Sequence, residues 1–219
     1  MRKNGRIILS GGGDIDVSFK LDEKYFSLLR DNAQILYIPV ALNRTKLGFE
    51  GCYDWFSNVI SQHNDKKDID FTMLLDGDDV SDFDRYDSVY IGGGNTYKLL
   101  DYIYKNDIGR KITEYIKNGG IVYGGSAGAI ILGENIKTAE EENDNNYVHS
   151  DGLNLIENRS VICHYTESLD EKIFETAKRI NSIIIALPED AGLILDSNGK
   201  ILEIVGNVFV FDEKSKKQI

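Results

Sequence analysis

The chain is poor in the residues that staple or punctuate a fold. Its 219 residues include 2 cysteines, 2 prolines, 3 histidines and 1 tryptophan. Cys52 and Cys163 are too few for a disulfide framework and are expected as reduced thiols. Positive charge is scarce as well: 25 Lys and Arg stand against 36 Asp and Glu, a formal net charge of −11. Such a chain repels phosphate backbones and anionic bilayers, so neither nucleic acid nor a membrane is expected as a partner. No apolar run approaches the roughly 18 residues that a spanning helix needs. Near the start, the apolar stretch Ile7 to Leu9 is too short for a signal peptide, and the expected location is cytoplasmic. What is present is ordinary globular composition, 42% hydrophobic and 28% charged, which excludes a disordered chain. The length suits a single domain over 1–219 with a core large enough to stand alone.

Short apolar runs recur and stop at Gly, Pro or Asn. They cover Arg6–Ser10, Gln34–Val40, Phe71–Leu75, Ser88–Ile91, Gly120–Gly124, Ser160–Cys163 and Ser182–Leu187. Rich in Val, Ile and Tyr and without alternation, they read as strands covered on both faces. Helical spacing of apolar residues predicts helices over Phe49–Ile60, Thr96–Tyr104, Ile108–Ile116 and Leu169–Ile180. The rhythm predicts an α/β fold: a mostly parallel sheet with helices on both faces. Towards the end, Gly192–Leu195 and Ile201–Val205 flank Asn198-Gly199 and predict an antiparallel hairpin, with one more strand over Asn207–Phe211.

Ligands of open α/β sheets bind outside the carboxyl ends of the strands. Those ends carry Gly11–Gly13, Gly92–Gly94 with Asn95, Gly124-Gly125-Ser126, His164 and Pro188-Glu189-Asp190. A nucleophile, an imidazole and a carboxylate are thus expected on one rim. Gly124-Gly125-Ser126-Ala127-Gly128 is a G-x-S-x-G between a predicted strand and an apolar segment. A serine on such a turn exposes its hydroxyl, and the Ala127 N–H points where an oxyanion would form. The bland alternative is a Gly-rich turn that only lets a helix pack close to a strand. A serine needs a base. His63, beside Asn64 and Asp65 at a helix end, is expected to be solvated, and His149 lies in a polar loop. His164 ends a buried strand and is the histidine expected on the rim. For the acid that orients it, Glu189 beside Pro188 is favoured over Glu141, which lies in the run Glu140–Asp144 and is expected in a solvated loop. The acid should be partly buried among hydrogen-bond donors. Gly92–Gly94 can bring a second backbone N–H to the oxyanion. Neither triglycine forms G-x-G-x-x-G, no P-loop is present, and the acidic stretch 76–79 lacks calcium-loop spacing. Cys163 and His164, adjacent on a strand, face opposite ways. No metal and no cofactor is expected.

The segments Ile91–Leu100, Gly125–Ala129, Cys163–Thr166 and Ala186–Glu189 resemble, in order and spacing over nearly the whole chain, the peptidase S51 family. That family includes dipeptidase E and cyanophycinase. The resemblance implies a fold like that of class I glutamine amidotransferases, with Ser126 as nucleophile, His164 as base, and Gly94 and Ala127 as oxyanion donors. The family divides over the acid: its dipeptidase E position falls at or near Glu141, its cyanophycinase position on Glu189. Dipeptidase E removes an N-terminal aspartate and has a longer, arginine-bearing segment after the histidine. Here the segment Thr166–Ile180 is shorter and carries Lys172, Lys178 and Arg179 as its cations. The expectation is a serine exopeptidase for small, Asp-containing peptides working through Ser126, His164 and Glu189, as a monomer or homodimer. The alternatives are a catalytically silent binding protein on an amidotransferase-like scaffold, and a hydrolase of other amides or esters.

Overall fold

The structure, a computed structural model, describes residues 5–42, 44–63, 68–75, 78, 82–143 and 146–219. The acidic stretch 76–79 thus lies, apart from Asp78, outside the described residues, as do Asn64, Asp65 and Asp144. In chain order the elements are β1 (Arg6–Ser10), α1 (Ile15–Leu28), β2 (Gln34–Ile38), α2 (Arg44–His63), β3 (Asp70–Met73), β4 (Ser88–Ile91), α3 (Thr96–Lys105), α4 (Ile108–Lys117) and β5 (Ile121–Gly125). They continue with α5 (Ala127–Leu132), β6 (Arg159–Ile162), α6 (Asp170–Ile180), β7 (Ile183–Ala186), β8 (Gly192–Asp196), β9 (Ile201–Val205), β10 (Phe209–Phe211) and β11 (Lys216–Gln218).

These strands form a seven-stranded sheet, β3-β2-β4-β5-β1-β8-β9, and a four-stranded sheet, β11-β10-β7-β6. In the large sheet β3, β2, β4, β5 and β1 run parallel, while β8 and β9 form the expected antiparallel hairpin at its edge. The expected single rim is therefore two rims brought together. Its cause is β8, which occupies the free edge of β1 and leaves β6 and β7 to pair with each other. The two sheets meet where the His164 N–H donates to the Gly11 carbonyl at 3.1 Å and the Gly11 N–H donates to the Ala191 carbonyl at 3.0 Å. One apolar cluster runs across the junction, from Ile7, Leu9 and Val122 through α5 to Val161, Ile185 and Leu187. Every residue of α5 is buried, as suits a short helix that is apolar all round.

Strand periodicity sorts the large sheet's side chains between its two faces. Leu36, Ile38, Val89, Ile91 and Val122 pack towards α3, α4 and α5. Ile35, Tyr37, Tyr90 and Tyr123 pack towards α1 and α2. Strand register sets the three tyrosines side by side, Tyr37 opposite Tyr90 and Tyr90 opposite Tyr123. Tyr90 and Tyr123 stack at 4.3 Å, and Tyr37 stacks on Phe56 of α2 at the same distance.

Helix α1 escapes the apolar-spacing rule because its inward face is partly polar: Ser18 and Asp22 are buried with Leu21, Tyr25 and Phe26. The Ser18 and Tyr123 hydroxyls each donate to the Asp22 carboxylate at 2.6 Å. A buried carboxylate needs such donors, because desolvation disfavours its charged form. Burial still outweighs them and holds the Asp22 carboxyl above the usual carboxylate range.

An acid whose pKa is raised by folding binds its proton more tightly in the native than in the unfolded chain. Its contribution to stability is therefore complete below the unfolded pKa and is lost as pH rises through the folded one. Denaturant titrations at stepped acidic pH should show this loss in the wild type, and Asp22→Asn should flatten it; an unchanged slope would remove Asp22 as its source.

Candidate active site

One residue separates β5 from α5, and it is Ser126. Its backbone sits at φ 50°, ψ −111°, a conformation that costs a non-glycine residue on the order of 1–3 kcal/mol. It is held there on both sides: its N–H donates to the Ser10 carbonyl at 3.2 Å, and its own carbonyl accepts from Ala129 and Ile130 at 2.8 and 3.0 Å. The flanking glycines answer to packing. A Cβ on Gly128 would come 2.3 Å from the Ile91 carbonyl oxygen, and one on Gly124 would come 2.6 Å from that of Gly128. The G-x-S-x-G is thus a close-packing turn as well as a serine mount.

His164 also adopts a positive φ, 53°, one residue beyond Cys163 at the end of β6. Its Nε2 lies 2.9 Å from Ser126 Oγ, and its Nδ1 lies 2.9 Å from Glu189 Oε1. A carboxylate at Nδ1 favours the tautomer with the proton there, which leaves the Nε2 lone pair to accept from the serine. Gly12, at φ 91°, makes the approach possible: a Cβ there would stand 2.6 Å from Ser126 Cβ and 2.8 Å from His164 Cε1. Gly93 and Gly94 lie on the same rim; a Cβ on Gly93 would meet Ser126 Cβ at 3.2 Å, and one on Gly94 would strike the Ala41 carbonyl oxygen. Among the described residues, the N–H groups of Gly94 and Ala127 have no hydrogen-bond acceptor.

Two expectations about the acids need correction. Glu189 is on His164, but its side chain is 55% exposed rather than enclosed by donors, and that of His164 is 46% exposed. The Pro188 turn, closed by the Ala191 N–H on the Pro188 carbonyl at 3.0 Å, carries Glu189 to the surface. Glu141 is not on a solvated loop. It is half-buried and accepts from Thr96 Oγ1 at 3.2 and 3.3 Å, while Asn95 Nδ2 donates to the Glu142 carbonyl at 2.9 Å and ties the segment to the start of α3. Burial pushes the Glu141 carboxyl up; its own backbone N–H, Thr96 and the nearby His164 act the other way. His63 is not solvated either. Because α2 runs on to His63, the ring stacks on Phe26 at 5.0 Å, and burial lowers its pKa. His149 is exposed, as expected.

Two cavities open on Ser126 and share Gly94, Ser126 and His164 as lining. The first, about 310 Å³, has Tyr37, Cys52, Trp55, Tyr90 and Tyr123 in its wall. The second, about 370 Å³, is lined by Thr138, Glu140, Glu141 and Cys163. Neither is lined by a lysine or arginine among the described residues. The Cys163 thiol is fully buried and raised by that burial, so it is no competing nucleophile. The aromatic wall escapes a sequence reading that looks only at strand ends. Its signal was the tyrosine one place before the end of β2 and β4 and two before the end of β5. Among the described residues no group of three His, Cys, Asp or Glu side chains could hold a metal, and no helix is long and apolar enough to cross a membrane.

A serine, a histidine and a carboxylate in hydrogen-bonded line at the carboxyl ends of parallel strands define a class, the α/β proteins with a hydrolase-type site. The particular family follows from comparison: the profile of Peptidase family S51 matches residues 7–210, and the chain belongs to that family of peptide hydrolases. It is 26% identical over 190 residues to Peptidase E of Shewanella denitrificans, covering 82% of this chain and 77% of that protein. It is 30% identical over 114 residues to Peptidase E of Escherichia coli, covering 51% of this chain and 49% of that one. Its fold is similar to that of a crystallised protein from Listeria monocytogenes EGD-e, with a TM-score of 0.70 at 18% identity over 99% of this chain and 100% of that one. A peptidase from an acI-B1 Actinobacterium matches with a TM-score of 0.61 at 20% identity, over 100% of this chain and 95% of that one.

Gly12→Ala tests how tightly the line is drawn. The added methyl must push Ser126 and His164 apart, and misplacement of about 1 Å can cost on the order of 10²-fold in rate. A folded variant with a rate reduced to that extent is expected, measured by circular dichroism beside hydrolysis; full activity would show that the line tolerates displacement.

Proposed function

We propose that this chain is a serine-type exopeptidase for small peptides, with Ser126, His164 and Glu189 as its catalytic residues. The observation that carries the reading is the unbroken line of two 2.9 Å hydrogen bonds from Ser126 Oγ through the imidazole to Glu189. Ser126 Oγ attacks the scissile carbonyl while His164 Nε2 takes its proton. The oxygen turns towards the unengaged N–H groups of Gly94 and Ala127, which donate to it as its charge develops. His164 then gives its proton to the leaving amine, and water, activated by the same imidazole, releases the acyl group. Glu189 keeps the ring in its tautomer and stabilises the imidazolium. The scheme needs no cofactor. It also disfavours a silent binding protein, which would have no use for a serine held in a costly conformation.

The residue that supplies the carbonyl is read from the first cavity. An aspartyl side chain would call for a cation there, and the described lining offers aromatic rings with Asp22 bonded to one of them. We therefore favour an apolar or aromatic side chain at that position over the aspartyl one that the family resemblance suggests.

Three measurements test this. Ser126→Ala should abolish covalent labelling by a fluorophosphonate and lower the rate by several orders of magnitude, as loss of a triad member does. Glu189→Gln should lower kcat by roughly 10²- to 10⁴-fold. In a dipeptide panel read by amine release, Phe- and Leu-initiated peptides should outrun Asp-initiated ones; the reverse order would restore the aspartyl reading, and full activity in Ser126→Ala would end the serine mechanism.

A further inference from the structure

Among the described residues, the second cavity is lined by one carboxylate that no lysine or arginine meets. Glu140 and Glu141 both line it, yet they differ in their partners. Glu140 is paired with Lys172 of α6. Among the described residues Glu141 meets no lysine or arginine, and its carboxylate accepts from two neutral donors, the Thr96 hydroxyl and its own backbone N–H. A carboxylate withdrawn from water is stable only if it is paired or well supplied with donors. Two neutral donors are a thin supply for a half-buried carboxylate, and burial outweighs them. The carboxylate is also placed firmly, since Thr96 and Asn95 tie residues 141 and 142 to the start of α3. It lines the same cavity as Ser126 and His164, one that the aromatic residues of the first cavity do not line.

A peptide whose carbonyl lies at Ser126 with its side chain in the aromatic cavity has one further group to place on that residue, its amine. We infer that Glu141 is a specificity-determining residue that pairs with the free α-ammonium of the substrate, so that the residue supplying the carbonyl is the N-terminal one. The inference rests on the reading of Ser126 as nucleophile and deepens it by naming the residue that selects a free amino end. The ammonium supplies the missing counter-charge, and Glu141 and Thr96 receive it where an acylated or internal nitrogen would leave the carboxylate unpaired. A C-terminal carboxylate is disfavoured in this cavity for the same reason, because Glu141 would repel it.

The competing role is structural, with Glu141 merely fastening its loop to α3. The two roles separate in an experiment that compares wild type and Glu141→Gln on Phe-Ala and Asp-Ala, each with a free and an acetylated amine. Fluorophosphonate labelling of Ser126 is followed in parallel, together with its protection by phenylalaninamide. The wild type should prefer the free amine. Glu141→Gln should lose about 10- to 100-fold in kcat/KM on the free-amine peptides, the range for a hydrogen bond to a charged group. It should keep its rate on the acetylated ones, its labelling rate should not change, and phenylalaninamide should protect it less. Equal losses on free and acetylated peptides, with slower labelling, would overturn the inference in favour of a structural or triad role. An unchanged preference for the free amine in Glu141→Gln would overturn it outright. If Ser126 in the wild type does not label at all, it is the underlying reading of the site that fails; protection binding of phenylalaninamide, measured by calorimetry on both proteins, still decides Glu141, with equal affinity counting against it.

Discussion

Two successive carbonyls hold the site together. At the end of β1, the Ser10 carbonyl accepts the N–H of Ser126 and the Gly11 carbonyl accepts the N–H of His164. The serine comes from the large sheet and the histidine from the small one, so this stretch of four or so atoms sets the distance between the two side chains. The next residue, Gly12, has no side chain because one would stand between them. Both held residues carry positive φ, and strain of that kind survives only where its surroundings over-determine it. Those surroundings are the buried helix α5 below Ser126, the cluster that continues from it into β6 and β7, and the turn that lifts Glu189 onto the imidazole.

Much of this was legible along the chain, because strands buried on both faces announce themselves as unbroken apolar runs. The strand over Arg6–Ser10 and that over Ser88–Ile91 have the bounds that their glycine stops predict. The meeting of Ser126, His164 and Glu189 was legible too, since each follows a strand and ligand sites gather at strand ends. The division into two sheets was not. It depends on β8 pairing with β1, and pairing partners leave no mark in local periodicity. Helix α1 was hidden by its own function in the core, where Ser18 and Asp22 interrupt the apolar stripe to bond Tyr123 and one another. The burial of Glu141 was hidden for a related reason: an acidic run reads as solvated until a distant hydroxyl, that of Thr96, is known to lie against it.

The surroundings of the serine are electrostatically lopsided. On one side stand tyrosine rings whose lowest member is bonded to a buried acid; on the other stand two carboxylates, one of them neutralised by Lys172. Buried charge without a partner is costly. The acidic balance of the whole chain makes the approach of a cationic group easier than that of an anionic one.

The aromatic wall has a different origin in the fold from the line of Ser126, His164 and Glu189. Ser126, His164 and Glu189 hang on strand ends and on the α5 side of the sheet, whereas Cys52 and Trp55 come from α2, on the opposite face and beyond a kink at Gly48. Neither of these two contributes to the junction that spaces serine from histidine. Substitutions along α2 can therefore reshape that wall while the carbonyls of Ser10 and Gly11 go on holding the same two residues.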